Sequence, residues 1–123
     1  NHMSHVIIYS HLIHAKMIEI KIRKYLEDKL NVPVYMEHRN KEKGSYIIME
    51  KLGGTMRDQI YRSSYAFQSY GDRMLDAIEL NDRLVQAMLV YPDCGASKLD
   101  SNYNFTETGT KKYRYQAVFD IVF

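Results

Sequence analysis

With 123 residues, of which 46% are hydrophobic and 26% charged, the chain can bury an unstapled core and is too apolar to stay disordered. A net charge of +2 is too weak a bias to argue for nucleic-acid binding. The single cysteine, Cys94, leaves no internal disulfide and fits a reducing compartment, and no apolar run approaches the roughly 20 residues of a membrane span.

Asn1-His2-Met3 reads as a cloning remnant with the native start at Met3, so one domain is expected over residues 4–123. The run Val6-Ile7-Ile8-Tyr9 is too short for a signal-peptide core and has no charged segment before it. From Ser10 to Leu30 the pattern predicts a helix. Leu12, Ala15, Ile18, Ile22, Tyr25, Leu26 and Leu30 fall on one face, and Ile13, Met17 and Ile20 on the opposite one. Ile18 to Arg23 alternates as a strand would, but its flanks are helical and the whole run is too long for one strand. Asn31 is a fitting terminator.

Val32 to His38 then predicts a strand, with Pro33 near its start. Across the polar turn Asn40–Gly44 it is expected to form an antiparallel hairpin with Tyr46–Glu50. Lys51–Asp58, with Gly53-Gly54, reads as a flexible loop.

The central stretch is Gln59 to Tyr91. Tyr61, Tyr65 and Phe67 alternate with Arg62, Ser64, Ala66 and Gln68, which is a strand with one buried face. Gly71-Asp72 ends it, with Asp72 expected to cap a helix over Arg73–Tyr91. Met74, Ala77, Ile78, Leu84, Val85, Met88 and Tyr91 form that helix's apolar face, and Pro92 stops it. Leu99, Ser101, Tyr103 and Phe105 alternate with polar residues in a further strand. After a turn over Glu107–Lys112, the last strand puts Tyr115, Ala117, Phe119 and Ile121 on one face. The order α-β-β-β-α-β-β predicts an α+β fold: a two-layer sandwich in which two helices lie on a mostly antiparallel sheet of about five strands.

Catalytic signatures are weak throughout. His11 and His14 stand one helical turn apart with His5 nearby, but no accompanying Glu makes a zinc-protease pattern, so surface histidines are the simpler reading. Cys94 beside Asp93 would need a base brought from elsewhere to act as a nucleophile. Gly53-Gly54-Thr55 lacks the ending of a phosphate loop. Asp72, Asp76 and Glu79 complement the dipole of the second helix. Neither an enzyme nor a cofactor or metal site is expected.

Adhesive surface is the stronger signal. Eleven tyrosines, seven methionines and a doubly striped first helix point to subunit contacts. The bland alternative is that Ile13, Met17 and Ile20 pack under Val6-Ile7-Ile8.

Tyr65-Ala66-Phe67-Gln68-Ser69-Tyr70-Gly71-Asp72, followed by Ala77, Leu84, Val85 and Met88, resembles the tail-terminator or tail-completion proteins of long-tailed bacteriophages and prophages. Val32-Pro33-Val34-Tyr35 and the closing Lys112–Phe119 strand fit the same family pattern. These are packing patterns rather than catalytic signatures, and the family offers no catalytic residues to carry over. The resemblance implies a virion protein, assembled in the bacterial host cytoplasm. It implies a homo-oligomeric ring, typically six-fold, that caps the tail tube, ends its polymerisation and docks the head. Its partners would be itself, the tail-tube protein, head–tail connector proteins and DNA passing through without sequence-specific binding, with no membrane. On this reading Ile13, Met17 and Ile20 are expected at the subunit interface with one sheet edge. Lys41, Lys43, Lys51, Arg57, Lys111 and Lys112 are expected on loops facing the tube, the connector or the channel. A head–tail connector or other minor tail protein, and a nucleic-acid-binding accessory protein, are the alternatives.

Overall fold

The computed structural model describes residues 17–38, 43–107, 109 and 112–123. Helix α1 covers residues 17–30. It is followed by β1 (Val34–Tyr35), β2 (Tyr46–Arg57), β3 (Ile60–Gly71), α2 (Met74–Leu89), β4 (Ala96–Asn104) and β5 (Tyr113–Val122). The strands make one five-stranded sheet in the order β1-β2-β3-β5-β4. The predicted α+β fold with two helices on a mostly antiparallel sheet is therefore the fold of the chain.

The period of four in α1 sets the packing. Ile18, Ile22, Leu26 and Leu30 are buried with Leu80, Leu84, Val85 and Met88 of α2 and with Ile47, Met49, Tyr65, Phe67, Ala117, Phe119 and Ile121 of the sheet. Both helices thus lie on one face. They run antiparallel to each other, because the Tyr25 hydroxyl donates to the Ala87 carbonyl and Arg83 Nη2 donates to the Leu30 carbonyl. Asn31 ends α1 in the left-handed region at φ 54°, with its N–H bonded to the Glu27 carbonyl.

Several expectations fail in instructive ways. Only Val34 and Tyr35 of the Val32–His38 run form a strand, and they pair with Ile47 and Ile48 in parallel, not antiparallel. Met36, Glu37 and His38 are exposed and have no apolar row to join. Lys51–Asp58 is not a loop, since β2 runs through it to Arg57. The two glycines follow a register shift between Lys51 and Gly53, where Leu52 is the extra residue of a bulge. The true turn is Asp58-Gln59, both at positive φ (53° and 66°), as a tight two-residue hairpin demands. Asp72 does not cap α2; Arg73 holds the cap position without a side-chain bond, and the helix spans Met74–Leu89, shorter than expected. Gly71 is the last residue of β3 rather than a break, and a Cβ there would stand 2.6 Å from the Ala77 nitrogen. A second register shift, between Leu99 and Ser101 of β4, sends Tyr103 and Phe105 to the sheet face away from the helices. The alternation expected of Leu99, Ser101, Tyr103 and Phe105 is broken there by one extra residue, Asp100.

Candidate subunit-contact surfaces

The outer sheet face carries a polar–aromatic layer. Tyr46 stacks on Tyr70 with ring centroids 4.6 Å apart, and Tyr35 meets Tyr46 edge-on. The Tyr70 hydroxyl donates to Gln68 Oε1, Gln68 donates to Gln116, and Gln116 donates to the Tyr103 hydroxyl. Arg114 Nη1 donates to Tyr70, its Nε donates to the Phe105 carbonyl, and its guanidinium lies 4.4 Å from the Phe105 ring centroid. Strands β2, β3, β5 and β4 all contribute, and Arg114 ties the segment after β4 to the layer. Its members are held by one another.

At that end of the sheet Lys112 Nζ stands 2.8 Å from Asp72 Oδ1 and also donates to the Gly44 carbonyl. The Gly44 N–H donates to Asp72 Oδ2. The Lys112 bond first, then the Gly44 N–H, holds the Asp72 carboxyl below the usual carboxylate range. Asp72 is therefore a clasp between three chain segments rather than a helix cap.

At the opposite end β2 and β3 project as an arm. Every residue from 50 to 60 is exposed, including Leu52, Met56 and Ile60. Among the described residues β1 covers only Ile47 and Ile48, so β2 from Met49 onward is an open edge, as is the outer side of β4. At the arm's root a recess of about 440 Å³ is lined by Gly53, Thr55, Arg62, Ser64, Asp120 and Val122. Within it the Ser64 hydroxyl donates to Asp120 Oδ1.

The expected contact residues divide accordingly. Met17 and Ile20 are each 50% exposed on the solvent side of α1, where the expected interface places them. Ile13 lies outside the described residues, as do Lys41, Lys111, His5, His11 and His14. The remaining cations do not converge. Lys43 and Lys112 sit at one end of the sheet and Arg57 at the other, roughly 35 Å away along a 12-residue strand. Lys51 is turned to the helix side, bonding the Tyr61 hydroxyl and standing 3.8 Å from Glu19. Cys94 donates to the Tyr91 carbonyl, and burial pushes its thiol up, away from the nucleophilic thiolate. No group of three His, Cys, Asp or Glu side chains among the described residues could hold a metal ion.

Sequence reasoning missed two apolar surfaces. One is the arm, hidden by the reading of Gly53-Gly54 as a loop. The other is the solvent side of α2, where Leu75, Leu89 and Val90 are exposed. Its signal was present, because Leu75, Glu79, Asp82, Gln86 and Leu89 recur at alternating steps of four and three opposite the buried row. No protein-family model matches the chain, and no curated protein matches its sequence.

Proposed function

We propose that this protein is a structural component of a long-tailed phage particle: a cap that assembles from copies of itself on the finished tail tube, ends its polymerisation and offers the surface on which the head docks. The observation that carries this reading is the amount of apolar surface a solitary molecule leaves in water. α1 presents Met17 and Ile20, α2 presents Leu75, Leu89 and Val90, and the β2–β3 arm presents Leu52, Met56 and Ile60. Copies of one chain cover such patches by a repeated head-to-tail contact, which closes into a ring when the rotation between neighbours divides a full turn. The similarity of the Tyr65–Asp72 stretch to tail terminators supplies the tube as the scaffold. The division of the cations supports two different axial contacts. Lys43 and Lys112 serve one end of the ring and Arg57, on the arm, the other, with DNA passing between without base readout.

The test adds purified protein to tail-tube protein while it polymerises and follows the tubes by electron microscopy. Tubes that stop growing and carry a ring at one end are expected. Tubes of unchanged length with bare ends overturn the reading.

A further inference from the structure

We infer that copies of this chain join edge to edge, the free edge of β2 on one copy pairing with the free edge of β4 on the next. This rests on the self-assembly reading above and names the two surfaces that meet. Among the described residues β1 occupies the outer side of β2 only as far as Ile48, and β4 ends the sheet on the other side. The lengths match: β2 has 12 residues, its first three reach only to the end of β1, and the nine that remain face the nine of β4. Neither stretch contains a proline that would block an added strand. The directions match as well. Strands β2, β3, β5 and β4 are antiparallel in succession, so β2 and β4 run opposite ways. Two copies set side by side in the same orientation therefore bring β4 against β2 as an antiparallel pair.

The two bulges fix the register. On β2, Lys51 faces the helices, and the extra residue Leu52 shifts the alternation so that Gly54 takes that side beyond it. On β4, Leu99 faces the helices, and the extra residue Asp100 shifts the alternation so that Asn102 takes that side beyond it. A bulged edge laid on a regular one loses its facing at the extra residue. Here the two irregularities cancel. With Arg57 opposite Ala96, Gly54 stands opposite Leu99 and Lys51 opposite Asn102, with two residues between on each strand, so the faces agree from end to end. Like charges are nowhere directly opposed in this register: Thr55 meets Lys98, and Glu50 meets Tyr103. The backbone agrees too. The Ile47 N–H reaches outward to the Pro33 carbonyl, and the Phe105 N–H reaches inward to the Arg114 carbonyl. Alternation from those two bonds points the N–H and carbonyl of both Lys51 and Asn102 out of the sheet, where they meet as a hydrogen-bonded pair.

The contact is head-to-tail, because each copy uses one edge and offers the other onward. It keeps the helices of every copy on one side of a continuous sheet, the arrangement that can curve round and close. Within one chain Thr55 lies level with Ala96, across Arg62 and Val122, whereas the contact sets the neighbour's Arg57 there, a stagger of two residues. A closed sheet takes up such a stagger as strand tilt. The helix layers also come side by side. α1 overlies β2, where Glu19 stands 3.8 Å from Lys51, and α2 reaches β4, where Asn81 donates to Asn102.

The experiment is a disulfide across the ladder. Thr55 and Lys98 are exposed and would face each other as a close pair without mutual hydrogen bonds, the spacing a cross-strand disulfide accepts. Within one chain they lie three strand spacings apart, about 14 Å or more, too far to be bridged. Thr55→Cys and Lys98→Cys are made singly and together, with Cys94→Ser to remove the native thiol. Mild oxidation at a concentration where sedimentation shows association should turn the double variant into a series of disulfide-linked multimers. Each single variant alone should give none, and a mixture of the two should give dimers only. In the unsubstituted chain, association should slow amide hydrogen exchange in both edge strands. A chain that stays monomeric at every concentration, a double variant with a native circular dichroism spectrum that does not cross-link, or exchange unchanged at both edges overturns the pairing. Dimers from one single variant alone also overturn it, since they mean like edges paired across a two-fold axis. Tube capping is read separately by microscopy. Cross-linked multimers beside tubes that keep growing leave the edge pairing standing and overturn the cap, and caps without cross-links do the reverse.

Discussion

Single side chains decide how the ends of the sheet are closed. Asp72 is largely in water, yet from just before α2 it joins Gly44 and Lys112 through bonds of 2.9 and 2.8 Å. Its carboxyl titrates below the ordinary value of about 4. A group with a depressed folded-state pKa stabilises the fold above its unfolded pKa and loses that contribution as pH falls through the folded one. Urea titrations of the wild type and Asp72→Asn should therefore differ in midpoint at pH 7 and converge as the medium is acidified below the carboxylate range. A gap that persists unchanged in acid would show that charge at Asp72 is not what matters. Residue type alone makes Asp72 a helix cap. What displaced it was the approach of Lys112 from 40 positions along the chain, which no local pattern reports.

Among the elements, the β2–β3 arm departs most from local reading. Gly53-Gly54 is a strong turn signal, and yet the chain reverses five residues later. The strand residues around the glycines find partners in β3, and a bulge absorbs the odd residue. Asp58-Gln59 makes the turn at a conformational cost, since Gln59 sits at φ 66° with a side chain. Gln59→Gly should raise stability by about 0.5 kcal/mol, the relief of that strain less the added freedom of the unfolded glycine. Gln59→Val should lower it by about 1 kcal/mol, because a branched Cβ is poorly tolerated there. Chemical denaturation measures both, and equal stabilities would mean the turn is not held in this geometry. The helices were legible far more easily. The four-residue period of Ile18, Ile22, Leu26 and Leu30 and the row Ala77, Leu84, Val85 and Met88 each place one buried face without tertiary information. The outer row of α2 obeys the same arithmetic, but its mix of Leu75 and Leu89 with Glu79, Asp82 and Gln86 gives it no apolar stripe to stand out by.

For the molecule as a whole, the exposed apolar side chains are the feature that the proposed self-assembly would explain. Met17→Asp or Ile20→Asp should leave the monomer folded, since both positions are half exposed, while abolishing rings on tail tubes under negative-stain microscopy. Rings that persist with either variant would place the subunit contact elsewhere. The sequence by itself determined the fold class, the element order and most of the buried rows of both helices and of β5, because periodicity and apolar content are local; it left Leu80 out of the α2 row and gave β3 one buried face, whereas residues 65–71 are buried on both. Only the tertiary structure decided that β1 pairs in parallel, that β2 extends into an arm, that Asp100 turns Tyr103 and Phe105 to the far side, and that the cationic residues fall into two groups. Register and strand length are set by partners distant in the chain, and one inserted residue in a ladder reverses every side chain that follows it.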